Sequence, residues 1–291
     1  MVTYNPKDWF KLILHFHKSD TFRILLPAIL TLGAITGLIS YVEQHYFKNY
    51  IPSNLTIFHQ ISGFIISLVL VFRINSAYDR WWEGRKLWGS LLNNSRNLSI
   101  KLHALFAPND TETRKEIQTF ISNYALVLKE HLRGNTNENE LEFTTEFNKE
   151  NFINATHKPN YIARQLTTYI YKHFKNNPQS PNDLLIINEN LSALTDICGA
   201  CERIRNTPIP YSYSIFIKKI VFIYIITMPI SFGLTTGYWS MPIVMVMFYA
   251  FASLELISEE IEDPFGTDAN DLPTDDIAQK IKDNTKEILL P

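Results

Sequence analysis

From Ile24 to Val42 the chain carries no charged side chain. Residues 22–42, FRILLPAILTLGAITGLISYV, supply the roughly 20 residues that an α-helix needs to cross a hydrocarbon core of about 30 Å. A segment in lipid must satisfy its own backbone groups, so such a run is helix. The pattern returns in LTIFHQISGFIISLVLVF at 55–72, in SIFIKKIVFIYIITMPISFGLTT at 214–236 and in MPIVMVMFYAFASLELI at 241–257. Only GYWS separates the last two. Four apolar segments predict an all-α membrane protein with four transmembrane helices, whose apolar faces lie against the lipid bilayer.

Details within the spans agree. Pro27 falls in the first turns of the first span, where it is tolerated or kinks the helix. Gly33, Ala34 and Gly37 offer a face for close packing. Lys218 and Lys219 begin the third span and can reach the interface by extending their stems. Charged residues make up 19% of the chain, against about 25% for an average soluble domain. The mean hydropathy of -0.07 averages apolar stretches at 22–72 and 213–257 with a polar stretch between them. A net charge of -2 provides no basic excess, so nucleic acid is not an expected partner. Two cysteines, Cys198 and Cys201, exclude a disulfide framework. Residues 1–21, with Trp9, Phe10, Leu12, Ile13 and Leu14 among lysines and histidines, read as an interfacial helix, with an ordinary docking helix as the alternative. They lack a long apolar run ending in a small-residue cleavage site, so no secretory signal is expected.

The middle of the chain is a helical region of different character. Trp, Tyr, Arg and Lys crowd together at 73–89, a composition favoured at a membrane–water boundary. No turn signal interrupts the chain until Pro108, so the second helix is expected to run on out of the bilayer. Ile117, Phe120, Ile121, Tyr124, Leu128 and Leu132 recur every three or four residues and predict an amphipathic helix over 112–133. Helices are also predicted over 160–175 and 183–205, with 134–159 mainly loop. Residues 258–291 read as an acidic tail. The division is thus one domain: spans at 22–42 and 55–72, a cytoplasmic region at 73–213, spans at 214–236 and 241–257, then the tail. Lys and Arg concentrate at the N-terminus, at Arg73–Lys86 and at Lys218–Lys219. The positive-inside rule therefore puts both termini and the middle region of a multi-pass membrane protein in the cytoplasm.

Three motifs carry a family resemblance: FRINSAYDRWWEGRKLWG at 72–89, ACERIRNTPIPYSYS at 200–214 and EEIEDPFGTDANDLPTD at 259–275. In order, spacing and topology they resemble bacterial bestrophins, a family of ion channels, over nearly the whole chain. The resemblance implies a homopentamer with a single pore on its axis, permeated by small monovalent ions.

It also implies site residues. The second span lines an apolar neck in the family, and the register through Phe72 and Arg73 places that neck on Phe64, Leu68 and Phe72. Steps of four keep them near one helix face, and stacked apolar rings can gate by dewetting. The residues alone are equally those of a lipid-facing or packing stripe. Gln60, one turn outward, is a vestibule candidate. His59 is polar within a span and is either functional or interfacial. A second, cytoplasmic constriction falls among Leu184, Leu185, Ile186 and Ile187. Arg73, Asp79, Arg80, Trp81, Trp82 and Glu83 form the structural signature, with Arg85 read alongside as a polar network linking subunits or as a solvated helix face. The calcium clasp of animal bestrophins maps onto Glu260, Asp263, Asp268 and Asp271. The spacing is no EF-hand, and carboxylates stand where amide-type ligands occur, so no cofactor is expected, calcium being the one candidate. A solvated acidic helix end explains the same residues.

Other pairs are weaker. Cys198-Gly199-Ala200-Cys201 mimics a redox or metal motif but lacks a second ligand pair, and packing explains it better. His15 and His17 are an unsupported metal pair. An enzyme would need converging catalytic groups, and the spans contain only His59 and Glu255. A passive channel is therefore expected, with anions such as chloride slightly favoured by the weakly positive edges of two phenyl rings. A monovalent cation (sodium) channel is the alternative, and a structural or signalling membrane protein that docks partners through 134–159 is the alternative of another class.

Overall fold

The second apolar segment does not stop at the end of its apolar run. In the computed structural model, which describes residues 21–47, 53–107, 109–135, 137–176 and 182–290, it is the start of one 53-residue helix, Ser53–Leu105. At 1.5 Å per residue that is about 80 Å of rod. No proline and no helix-ending glycine falls within it.

The other elements follow in chain order. With α1 as Thr21–Tyr46 and the long helix as α2, they are α3 Thr111–Arg133, α4 Lys149–Ile153, α5 Lys158–Asn176, α6 Asp183–Asn206, α7 Tyr211–Thr236, a 3₁₀ turn Gly237–Trp239, α8 Ser240–Glu262 and α9 Thr274–Leu289. No strand occurs among the described residues. The expected interfacial helix at 1–21 lies outside them except for Thr21, as do the connection through Lys48 and Pro52 and the pair His15 and His17. Thr21–Tyr46, Leu55–Leu105 and Tyr211–Glu262 are long and apolar enough to cross a membrane, the last containing α7, the turn and α8.

Two units make up the chain. The first comprises Met1–Arg80, Pro208–Glu262 and Asp268–Asn270. Its core is Ile66 and Leu70 of α2 against Ile217, Val221, Tyr224, Ile225 and Met228 of α7 and Val244 and Phe251 of α8. Small residues set the helix spacing, as in other membrane bundles. A Cβ on Gly33 would lie 2.7 Å from Met245 Sδ and one on Gly37 3.0 Å from Met241 Sδ. Ala34, expected on the same face, is exposed instead. Buried polar groups pair between helices: Ser40 Oγ lies 2.7 Å from Ser240 Oγ.

The second unit, Trp81–Thr207 with Asp263–Thr267 and Asp271–Pro291, has the core of a water-soluble helical protein. Its central element is α3, nearly all of which is buried between α5, α6 and α9. Asp110 caps α3 by accepting from the Thr113 amide at 3.3 Å, and Gly134 ends it at φ 72°. That left-handed conformation is one that a side chain resists. Trp88, Leu91, Leu98 and Leu102 of α2 complete the core.

The structure adds detail to two expectations. The predicted tail at 258–291 contains α9, a full helix packed on α3. Its stripe of Ile277, Ile281, Thr285 and Leu289 is buried at i, i+4 spacing, and the surrounding Asp275, Asp276, Asp283 and Glu287 obscured it in composition. The loop at 134–159 contains the short α4, capped by Asn148. Asn123 of α3 holds the rest of this segment by donating to Glu142 O at 2.7 Å and accepting from its amide at 3.1 Å.

The first turn of α9 is clamped to the end of α3. Asp275 takes both Nη atoms of Arg133, at 3.0 and 2.6 Å, and lies 3.0 Å from Lys129 Nζ. The Arg133 guanidinium, partly opposed by burial and reinforced by Lys129, holds the Asp275 carboxyl well below the usual carboxylate range. A depressed value contributes stability in full above the ordinary pKa and loses it as pH falls through the lowered one. The side chain is 60% exposed, so screening limits its worth to about 1 kcal/mol. Asp275→Asn is expected to lower the melting temperature of the purified protein by a few degrees at pH 7, with the difference from wild type shrinking as the pH is taken below 3.

Candidate functional site

The exposed and buried faces of α2 are sharply separated. His59, Gly63, Ile66, Leu70, Arg73 and Ala77 recur at alternating steps of four and three and are all buried. This is the stripe of a helix packed along its length against neighbours. The expected neck residues lie on the opposite side: Phe64 is 67%, Leu68 45% and Phe72 65% exposed. Gln60 is exposed on the same side, as are Asp79 and Trp82 further along. An exposed row of large apolar side chains is costly in water and needs lipid, another subunit or a narrow pore beside it.

Packing and polar contacts fix the rotation of α2. At Gly63 the Tyr224 hydroxyl of α7 occupies the place of a Cβ. His59 is 1% exposed; its Nδ1 donates to Leu55 O at 3.1 Å, and its Nε2 lies 3.0 Å from Thr227 Oγ1 of α7. His59 is thus a buried strut between α2 and α7.

The strongest anchor is Arg73, itself 1% exposed. Its Nη2 donates to Glu262 Oε2 at 2.7 Å, and its Nε lies 3.6 Å from Glu255 Oε2. The other oxygen of Glu262 accepts the Ile209 amide at 2.8 Å, and the Glu262 carbonyl accepts from Arg80 Nε at 3.0 Å. One carboxylate therefore ties α2 to the end of α8 and to the segment entering α7. These partners of Arg73 belong to the same chain. The remaining signature residues differ in environment. Trp81 packs on the second unit's core and stacks with Trp82 at 6.4 Å. Glu83 pairs with Arg203 of α6 at 2.6 Å, both substantially exposed.

The candidates for the second constriction also separate. Ile187 is fully buried in the second unit's core, and Leu184 is partly buried against it. Leu185 is 72% and Ile186 49% exposed. The turn is fixed by Lys101 Nζ, which donates to Ile186 O at 2.9 Å and to Asn190 Oδ1 at 2.7 Å.

The acidic quartet is divided between the units, Glu260 and Asp268 in the first, Asp263 and Asp271 in the second. Glu260 Oε2 accepts from Asn270 Nδ2 at 2.6 Å, and Asp271 is buried with Oδ2 at 2.6 Å from where a Cβ on Gly266 would be.

Cys198 and Cys201 lie buried along α6. Burial, with the charge of Glu202, pushes the Cys198 thiol up to about 12, against a weaker opposing bond from Tyr124. Burial pushes Cys201 higher still. These are packing residues. A cluster that sequence reading missed lies nearby: His131, His157 and Glu202 converge although 71 and 45 residues separate the histidines from Glu202. No local spacing signals it.

Replacing Arg73 by Met leaves two buried carboxylates without their cation, a change worth about 3–5 kcal/mol. Unfolding of the detergent-solubilised protein is expected to show that loss, with Arg73→Lys intermediate. The thiolate is the reactive form of cysteine, so a maleimide at pH 8 is expected to label neither cysteine in the folded protein and both after denaturation.

Comparisons with known proteins agree on kinship. A family model described as Bacterial/Fungal Bestrophin protein matches residues 1–287. A voltage-dependent anion channel-forming protein of Nostoc sp. is 31% identical over 99% of this chain and 94% of its own. The voltage-dependent anion channel-forming protein YneE of Escherichia coli (strain K12) is 28% identical over 97% of this chain and 92% of its own. A crystal structure of a bacterial bestrophin homolog from Klebsiella pneumoniae superposes with a TM-score of 0.80 at 23% identity, covering 93% of this chain and 98% of that one. The chain, an all-helical membrane protein, belongs to the bacterial and fungal bestrophin family.

Proposed function

We propose that this protein is a passive anion channel whose pore is walled by Phe64, Leu68 and Phe72, one set from each subunit of a homopentamer. The observation that carries the reading is the exposure of these three side chains on the face of α2 opposite its buried, Arg73-anchored stripe. An apolar face that is held outward, on a helix long enough to cross the membrane, suits an axis shared with further copies of the same helix. Curated relatives of matching length are named voltage-dependent anion channel-forming proteins, which supports conduction of anions rather than enzymatic turnover.

The physics of such a wall is dewetting. A narrow apolar tube holds water poorly, so a small change in radius switches it between dry and conducting. Phenyl edges carry partial positive charge and stabilise a partly dehydrated anion, which makes chloride the proposed physiological ion. Gln60 lies at the outer mouth in this reading, and Leu185 and Ile186 are the candidates for the second constriction. In this reading α1, the first part of α2, α7 and α8 make four crossings, an even number that keeps both termini on one side, and the Lys and Arg bias assigns that side to the cytoplasm of a bacterial inner membrane. Conduction needs no cofactor.

Proteoliposomes with opposed chloride and sodium gradients test the reading. The protein is expected to give a leak whose reversal potential follows chloride. Leu68→Ala is expected to raise that leak severalfold by widening and wetting the neck, and native mass measurement to give five copies. A reversal potential that follows sodium replaces the anion by a cation. Unchanged flux in Leu68→Ala, Phe64→Ala and Phe72→Ala assigns the row to lipid and removes the proposed neck.

A further inference from the structure

Three side chains from three separate elements of the second unit meet at one point. His131 lies in the last turn of α3, His157 directly precedes α5, and Glu202 lies in the C-terminal half of α6. Glu202 Oε1 is 2.6 Å from His131 Nε2 and 2.8 Å from His157 Nε2, and the two imidazole centroids are 4.8 Å apart. Among the described residues this is the one group of three or more histidine, cysteine, aspartate or glutamate side chains whose donor atoms all lie within 4.8 Å of one another. The side chains are 27–33% exposed, so solvent and ions reach them.

The group is held by its surroundings. Arg205 Nη1 donates to the His131 carbonyl at 2.7 Å, and His157 Nδ1 accepts the Asn160 amide at 3.2 Å, capping the start of α5. Burial raises the Glu202 carboxyl, but the hydrogen bonds and charges of the two histidines outweigh it and hold the group below its ordinary value. The Glu202 carboxyl group lies between the two imidazoles.

We propose that His131 Nε2, His157 Nε2 and the Glu202 carboxylate form a binding site for a zinc-class divalent cation. The inference does not rest on the channel reading. Two imidazoles and one carboxylate are a donor set that zinc accepts with a position left for water, whereas calcium and magnesium prefer all-oxygen surroundings. Tetrahedral bonds of about 2.0–2.1 Å place ligand atoms about 3.3 Å apart, so the present contacts open by roughly half an ångström, a shift within the reach of partly exposed side chains. The hydrogen now on each Nε2 leaves as the metal takes its place. At His157 the neutral metal-bound tautomer carries its proton on Nδ1, and the exposed Asn160 amide turns to water. Three elements that are distant in sequence, α3, the start of α5 and α6, become cross-linked.

Full-length protein in detergent, stripped with a chelator, tests the site by zinc titration against a fluorescent zinc indicator. All variants carry His15→Ala and His17→Ala, which remove the other closely spaced histidine pair. One zinc per chain is expected at micromolar free zinc, with a rise in melting temperature and no competition from millimolar calcium. Cobalt in place of zinc is expected to give the intense visible bands of a four-coordinate site. His131→Ala, His157→Ala and Glu202→Gln are each expected to weaken binding by more than about tenfold, and His45→Ala to leave it unchanged. His157→Ala, at a partly exposed position before α5, keeps the test valid if another variant fails to fold. The absence of a micromolar site, or equal affinity in wild type and in the folded variants, overturns the proposal.

Discussion

The Arg73 guanidinium is out of reach of water, and its charge is met by Glu255 and Glu262. Burying a guanidinium costs several kcal/mol unless carboxylates compensate it, so the side of α2 that carries Arg73 cannot turn outward. The orientation of everything on that helix follows. Phe64, Leu68 and Phe72 point away from the bundle because Arg73, Leu70, Ile66 and His59 point into it. The same carboxylate of Glu262 also holds the Ile209 amide, so the entry to α7 and the exit of α8 are set by one side chain.

Polar groups in the apolar first unit follow a related rule. Where water cannot reach them, several are paired with other helices or with their own backbone. Ser40 meets Ser240, His59 meets Thr227, and Thr36 returns its hydroxyl to Leu32 O at 2.7 Å. Glycines at 33, 37 and 63 leave room for Met245, Met241 and the Tyr224 hydroxyl of facing helices. The second unit uses the opposite economy: a broad apolar core around α3, with ion pairs such as Arg133–Asp275 and Lys129–Glu140 at its margins. A single continuous helix, α2, serves both kinds of packing, and its sequence changes at Arg73 from the apolar pattern to one rich in charge and tryptophan.

Much of this was legible in residue order. Charge-free runs announced the apolar helices, and periods of three and four announced α3, α5 and α6 within a residue or two. Helix α9 was not legible, because its buried stripe of four positions is thinly spread among acidic residues and becomes visible only against α3. The neck candidates came from register against a family motif, and all three side chains are exposed in the single chain. The burial of Ile187 and the internal pairing of Arg73 were hidden for one reason: both depend on which side of a helix finds a partner, and periodicity supplies a face without supplying its neighbour. The histidine–glutamate cluster had no local signal at all.

By itself, then, the sequence determined the class of protein, because an uncharged stretch of membrane length admits only a helix and a helix there needs lipid or protein around it. It also determined kinship, since three long motifs in a fixed order carry that information without any coordinates. Tertiary structure alone decided what each polar residue does. Arg73 became an internal anchor, Leu185 and Ile186 remained exposed where Ile187 did not, and His131 and His157 met at Glu202. The physical reason is common to all three: the free energy of a charge or an imidazole depends on groups within a few ångströms, and in a helical protein those groups come from residues tens to hundreds of positions away.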